Sequence, residues 1–302
     1  MQGELTAAPP LLSLDDRAVA TLQVPGSADF VALAGDDAWV TNEGRVENLR
    51  AGSPQPVATV PIDAPGGAPA VGFGSLWVAD CRHRALVRVD LASQAVQAVV
   101  ATGLADPEGE LSVAAGAGSV WLLTDAAGVL SRIDPATNRV AAEIRVRAHS
   151  YCAAFGFDSV WVASSEGGTP EGGGFVQRID PRTNEVVATI AVGRGPRFLA
   201  AGEGGVWTLD QGDGTVSRVH PASQTLAATI AAEVPGTGGD IAVGAGRVWV
   251  RATRTALTVV DAATNRITSR YGPPCGSGAV RANGRVVWVT AHDVRKVWVL
   301  EP

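Results

Sequence analysis

Lysine is nearly missing from this chain: Lys296 is the only one, and the 30 acidic residues leave a net charge of −6. Without a basic excess the chain lacks the electrostatic footprint that neutralises a phosphate backbone, so nucleic acid is excluded as a partner. No apolar run reaches the length needed to span a bilayer, which excludes a transmembrane helix. Met1 to Asp16 has no charged start followed by an apolar core, so no export signal is read there. Cysteine is scarce: Cys81, Cys152 and Cys275 are odd in number, far apart and without CxxC spacing. Structural zinc is therefore not expected, and one disulfide with a free thiol stays open. Glycine is plentiful, but its clusters precede strands and no GxxxxGK[ST] exists, which argues against a nucleotide phosphate loop. Histidine occurs four times and never as HExxH, so no local metal signature is present.

Aromatics make up only 5% of the chain, yet eight of them are tryptophan, and seven of those fall at a regular interval. Trp39, Trp77, Trp121, Trp161, Trp207, Trp249 and Trp288 each close a segment of the type Val243-Gly244-Ala245-Gly246-Arg247-Val248-Trp249-Val250. Their spacings run from 38 to 46 residues. Self-similarity at about 40 residues, carried by short β-type runs, is the signature of propeller blades. The expected fold is all-β: a seven-bladed β-propeller with four antiparallel strands per blade. The blades are numbered here by these tryptophans in chain order.

The fifth repeat parses most clearly: Phe198 to Ala201 inner, Val206 to Leu209 second, Thr215 to Val219 third and Thr225 to Ile230 outer. Asp134-Pro135-Ala136-Thr137-Asn138 and its relatives at 180–184 and 261–265 carry turn chemistry between third and outer strands. His220 stands in place of that turn aspartate and reads as structural. The repeated tryptophans read as apolar plates between neighbouring sheets; Trp298 sits in a different strand and has no assigned role. At the ends, Arg17 to Val24 resembles an outer strand with no blade ahead of it, while Lys296 to Pro302 matches a third strand with nothing after it. The first strand is therefore expected to complete the last blade and close the ring. Residues 1–16 form a tail, and 17–302 a single domain.

The motifs G-x-G-x-V-W-V, V-x-R-I-D-P-x-T-N and V-V-A-T-I-x-V-G-x-x-P, sharpest from Tyr151 to Gly205, resemble the YVTN-type and streptogramin-lyase-like (virginiamycin B lyase-like) bacterial propellers. The resemblance implies an extracytoplasmic, bacterial protein, expected here as a monomer. In the lyase, the base is a histidine in a P-H-G motif opening the last inner strand. An acidic partner lies four residues after that blade's tryptophan, and the pair works with magnesium. Here the last blade opens with Pro274-Cys275-Gly276, and His292 stands four residues after Trp288. The catalytic pair is not reproduced.

Laid over one another, the blades diverge at one rim. The position opening each inner strand holds Ala28, Gly67, Leu111, Tyr151, Arg197, Gly239 and Ser277. The fourth position after each tryptophan holds Glu43, Cys81, Asp125, Ser165, Gln211, Thr253 and His292. The densest polar cluster gives His149, Tyr151 and Arg197 as candidate base, acid and anion clamp for proton abstraction beside a carbonyl or for ester cleavage. Asp29, Asp80, Arg82, His83, Glu110, Phe198, Asp240 and His292 are candidate substrate contacts. The plainer reading makes Asp80, Arg82 and His83 a solvated turn and pairs Arg197 with a carboxylate. A divalent metal, Mg or Ca, is the one cofactor considered, with His149 and His292 beside Glu43, Asp125 or Asp293 as donors. Residues 166–174, the longest insertion, lie beside His149 and Tyr151, where a flap or a plain flexible loop fits. Two functions follow: an enzyme, lyase or hydrolase, acting on a small organic molecule or cyclic peptide ester at the channel mouth, or a non-catalytic extracytoplasmic module binding a ligand or protein. A quinoprotein-type redox subunit is a third, weaker reading.

Overall fold

The computed structural model describes residues 9–103, 112–234 and 236–302. It contains seven sheets arranged as a ring of blades, each built outward from an inner strand. Blade five runs Pro196–Gly202, Gly205–Asp210, Thr215–His220 and Thr225–Ala231, the expected strands lengthened by one to three residues. Burial follows position in the blade. The second strand of blade four, Ser159–Ser165, is buried at every residue, because it lies between two neighbouring sheets. The outer strand of blade three, Arg139–Arg145, alternates exposed residues with half-buried ones and the buried Ile144, as a strand with one wet face should.

The tryptophans are the plates between sheets: all seven are 3% exposed or less. In blades two to six the indole Nε1 donates to the carbonyl of the glycine five residues earlier, at 3.0–3.1 Å. That glycine ends the inner strand where the next blade crowds in. A Cβ on Gly72 would lie 2.6 Å from the Ala115 Cβ of blade three, and one on Gly156 2.7 Å from that of Ala201 in blade five. The first glycine of G-x-G thus sets how closely adjacent sheets approach the axis.

The recurring arginine and asparagine of V-x-R-I-D-P-x-T-N are two halves of one fastening. Arg88 lies over the Trp77 ring and its Nη1 donates to Pro135 O at 2.6 Å and Asn138 Oδ1 at 3.0 Å in the following blade. Arg132 does the same over Trp121, to Pro181 O and Asn184 Oδ1, and Arg218 over Trp207, to Ala262 O and Asn265 Oδ1. The asparagines adopt positive φ (55°, 62° and 59°), which turns the side-chain oxygen toward the arginine while the Asp cap closes the turn. At the same turn of blade five, His220 Nδ1 accepts from Ser223 N at 3.1 Å, the structural role expected of it.

The ring closes as expected, with a shorter strand. Ala20–Gln23 pairs antiparallel with Lys296–Val299 as the outer strand of blade seven. Arg17 is not in it: Leu14–Arg17 forms one helical turn, because Ser13 Oγ caps the Asp16 amide at 3.1 Å. Part of the expected tail is ordered too, since Leu11–Ser13 adds a fifth, parallel strand to blade six beside Arg270–Gly272. Leu14, 1% exposed, enters the core between blades six and seven. Asp15 accepts from Trp298 Nε1 at 2.7 Å, which gives the unassigned tryptophan its place. On the other side of blade seven, Trp288 Nε1 donates to Asp36 O at 2.9 Å and Thr290 Oγ1 to Asp29 O at 2.6 Å in blade one. No helix among the described residues is long and apolar enough to cross a membrane.

Candidate functional site

Loops that enter inner strands and loops that leave second strands share one face of the ring, and the mouth lies among them. Below it the inner strands enclose a channel of about 280 Å³, half of whose lining residues are alanine, with Ser112, Cys152 and Arg281 as its polar groups. Arg281 is committed: its Nη1 pairs with Asp240, whose carboxylate also accepts from the amides of Ile241 at 2.9 Å and Val280 at 3.2 Å. Burial raises the Asp240 carboxyl above its ordinary value, and Arg281 and the two amides oppose that rise. At 2% exposure Asp240 fastens blade six to blade seven. Phe198 is likewise core, 3% exposed and 6.2 Å from the Phe30 ring.

Blades four and five contribute the proposed catalytic residues, and local backbone irregularity aims them. The pairing of Ser150–Gly156 with its neighbour shifts register between Ser150 and Cys152, leaving Tyr151 as the extra residue. The inner strand of blade five shifts between Pro196 and Phe198, leaving Arg197. A bulge re-aims the side chain it carries, and the two bulged side chains meet, with the Arg197 Cζ 3.8 Å from the Tyr151 ring centroid. His149, at φ 55°, is held by its backbone, its N–H on Ala126 O at 2.7 Å and its carbonyl accepting from Ser165 N at 3.1 Å. A Cβ added to Gly168 would lie 2.7 Å from His149 Nδ1 and 3.1 Å from Tyr151 Oη, so both polar groups converge on one point. Tyr151 Oη donates to Gly168 O at 3.2 Å.

Blades one and two hold a larger cavity of about 530 Å³, lined by Asp29, Glu43 and Asp63 together with Phe30, Thr41 and Asn42. Next to it, Asp80 closes a turn as in the plainer reading, but its side chain is buried and not solvated. Its Oδ1 caps the amides of Arg82 and His83, and its Oδ2 meets His83 Nδ1 at 2.7 Å. The imidazole is 57% exposed, and the hydrogen bond and charge of Asp80 raise its pKa. Arg82 and His83 both lie 3.7 Å from Asp63, and these three side chains form a solvated cluster at the cavity's edge.

His292 is bound to its neighbour, Nδ1 to Asp293 Oδ1 at 2.7 Å, and does not join His149. Cys275 faces inward, where Arg251 Nη2 donates to its Sγ at 3.2 Å and to Gly276 O at 2.8 Å; burial pushes the thiol pKa up. All three cysteines are free. Among the described residues no three His, Cys, Asp or Glu side chains are grouped to hold a metal ion; of the donors considered from sequence, His292 and Asp293 are in contact. Glu110 lies outside the described residues.

Asp210 was not singled out by the sequence. It ends the second strand of blade five, fully buried, and accepts from Thr208 and Ser217 hydroxyls at 2.6 Å and Thr215 at 3.1 Å. Burial pushes its pKa up to about 6 in spite of those three donors. The third residue after each tryptophan is Asn42, Asp80, Thr124, Ser164, Asp210, Ala252 or Ala291. Comparing that position across blades, beside the fourth, would have exposed it.

No family model and no curated protein matches the sequence. Solved structures do match the fold. Hydrazine synthase of Kuenenia stuttgartiensis superposes at TM-score 0.77 with 12% identity, over 100% of this chain and 99% of that one. A streptogramin B lyase structure gives 0.73 and 12%, over 93% and 96%. Virginiamycin B lyase from Staphylococcus aureus gives 0.72 and 12%, over 93% and 98%. Proteins with such different names share this ring, so likeness at this identity carries the architecture alone: the chain is a seven-bladed propeller resembling the streptogramin B lyases.

Proposed function

We propose that this protein acts on a small organic molecule at the mouth of the ring, as a lyase or hydrolase of ester-type substrates. The observation that supports the reading is the pair of bulges that turn Tyr151 and Arg197 out of adjacent inner strands into contact, with His149 beside them. In the elimination form, His149 takes a proton from the carbon next to a carbonyl, and those electrons form a double bond as the C–O bond breaks. Tyr151 Oη returns a proton to the departing oxygen, and Arg197 offsets the negative charge on the carbonyl side. In the hydrolytic form His149 takes its proton from water. A cyclic peptide ester suits either route, in keeping with the resemblance to a lyase, and an extracytoplasmic location belongs to the same reading.

The test is turnover of a panel of cyclic and linear peptide esters, followed by mass. Elimination opens a cyclic ester with no change in mass, and hydrolysis adds one water. His149→Ala is expected to lower turnover by a factor of about 10²–10⁴, and Tyr151→Phe and Arg197→Ala to lower it with melting unchanged. Repeating the assay with EDTA and with Mg²⁺ or Ca²⁺ reads out any metal requirement. If the unmodified protein turns over nothing in the panel, or the three variants match it, the catalytic reading falls.

The second reading, a non-catalytic binding propeller, is favoured by the blade-one and blade-two cavity, whose lining includes three carboxylates and no imidazole. Its ligand would carry an amine or guanidinium. A thermal shift given by such ligands and abolished by Asp29→Asn with Glu43→Gln would support it.

A further inference from the structure

The long insertion of blade four does not hang free over solvent. It crosses to blade five and is seated there. Within the insertion, Glu166 N donates to Gly173 O at 2.9 Å and Gly172 N to Thr169 O at 3.1 Å, and Ser165 Oγ donates to Thr169 O, so its tip is a compact turn. Two hydrogen bonds hold that turn to the mouth: Tyr151 Oη to Gly168 O at 3.2 Å, and Gly195 N to Gly172 O at 3.1 Å. Pro170 then packs where blade five has glycines. A Cβ on Gly195 or on Gly212 would strike the Pro170 carbonyl. Under the turn only about 20 Å³ is left, walled by Tyr151, Ser165, Arg197 and Gln211 among others, which is room for about one water.

We propose that residues 166–173 are a lid, latched onto blade five through the glycine seats at 195 and 212, that must lift before an organic ligand reaches Tyr151 and Arg197. The lid rests on the proposed mouth site in one respect only, that Tyr151 and Arg197 are what it covers. Its composition suits the role: five glycines in 166–173 and 174 together leave the tip few side chains to anchor it, so closure depends on the seats. Opening exposes Tyr151 Oη, whose hydrogen bond to Gly168 O otherwise occupies the proton proposed for the leaving group. Lid closure and substrate contact are thus alternative uses of the same hydroxyl.

The seats allow a test without any ligand. Gly212 has no positive φ, so alanine fits its backbone and acts only as a wedge under Pro170. In Gly212→Ala, hydrogen exchange at the Gly195 amide is expected to rise about tenfold, the loss of roughly one hydrogen bond's protection. Cleavage after Glu166 or Glu171 by a glutamate-specific protease is expected to rise with it, while the strands of blades one to three keep their exchange rates. Tyr151→Phe, which removes only the hydroxyl, should accelerate both to a smaller extent and covers the case in which the wedge variant fails to fold. If both variants leave exchange and cleavage at the unmodified rate, or if the unmodified loop already exchanges as a free chain would, the lid is refuted. Because no substrate enters the experiment, its result stands apart from the turnover assay.

Discussion

Asp210→Asn puts the energetics of the mouth to a quantitative test. A carboxyl with a pKa of about 6 in the folded chain and about 4 in the unfolded chain binds its proton more tightly when folded. Below pH 4 both states are protonated and the group costs nothing by ionising. Between pH 4 and 6 the folded state loses stability, and above pH 6 the full cost is present. Two pKa units at 1.36 kcal/mol each give about 3 kcal/mol. For a ring of this length melting as one unit, an unfolding entropy of about 0.6 kcal/mol/K converts this to about 5 °C. Asparagine keeps the shape and the hydroxyl partners but does not titrate. The difference in Tm between variant and unmodified protein should therefore grow in favour of Asp210→Asn by about 5 °C between pH 4 and pH 7. Paired calorimetric or circular-dichroism melts at half-unit pH steps measure it. A difference that stays flat across that range would mean that Thr208, Thr215 and Ser217 stabilise the charge as well as water does. The assignment of Asp210 as a destabilised buried acid would then be wrong.

Three further outcomes follow from the structure. Arg132→Ala removes two hydrogen bonds from blade three to blade four and a contact over Trp121, and should cost about 2 kcal/mol. The double variant with Asn184→Ala should cost less than the two single losses combined, read from denaturant melts. Leu14→Ala should cost about 2–5 kcal/mol and lower Tm, whereas Leu11→Ala, on an exposed edge, should leave it nearly unchanged. His83 should titrate by NMR above its ordinary value, and Asp80→Asn should return it. Since the folded pKa is the raised one, the stabilisation is complete at acid pH and is lost as pH climbs through the His83 titration.

The blades were legible because their markers are local. Tryptophan, glycine pair and turn aspartate recur in order, and each is required by packing or backbone geometry within a few residues. The closing strand was legible for the same reason, as an outer-strand pattern without a blade. Leu11–Ser13 was not: three residues show no period, and only the parallel edge of blade six identifies them as a strand. The arginine–asparagine fastening was half read. Asn138 was seen as a turn residue, but its partner Arg88 is 50 positions away and no local rule joins them. At the mouth the sequence located His149, Tyr151 and Arg197 on neighbouring blades, while the bulges that bring Tyr151 and Arg197 together leave no trace in residue type. Phe198 and Asp240 were read at the rim and lie buried, because alignment places a residue at the rim without saying which way its side chain turns.

The arginine–asparagine fastenings all lie at turns between third and outer strands, on the side of the ring facing away from the mouth. Torque between neighbouring sheets is therefore resisted from beneath. Loops above, the blade-four insertion among them, take no part in these fastenings. An engineer wishing to graft a new pocket onto this scaffold should leave the lower turns untouched and spend every substitution above the channel.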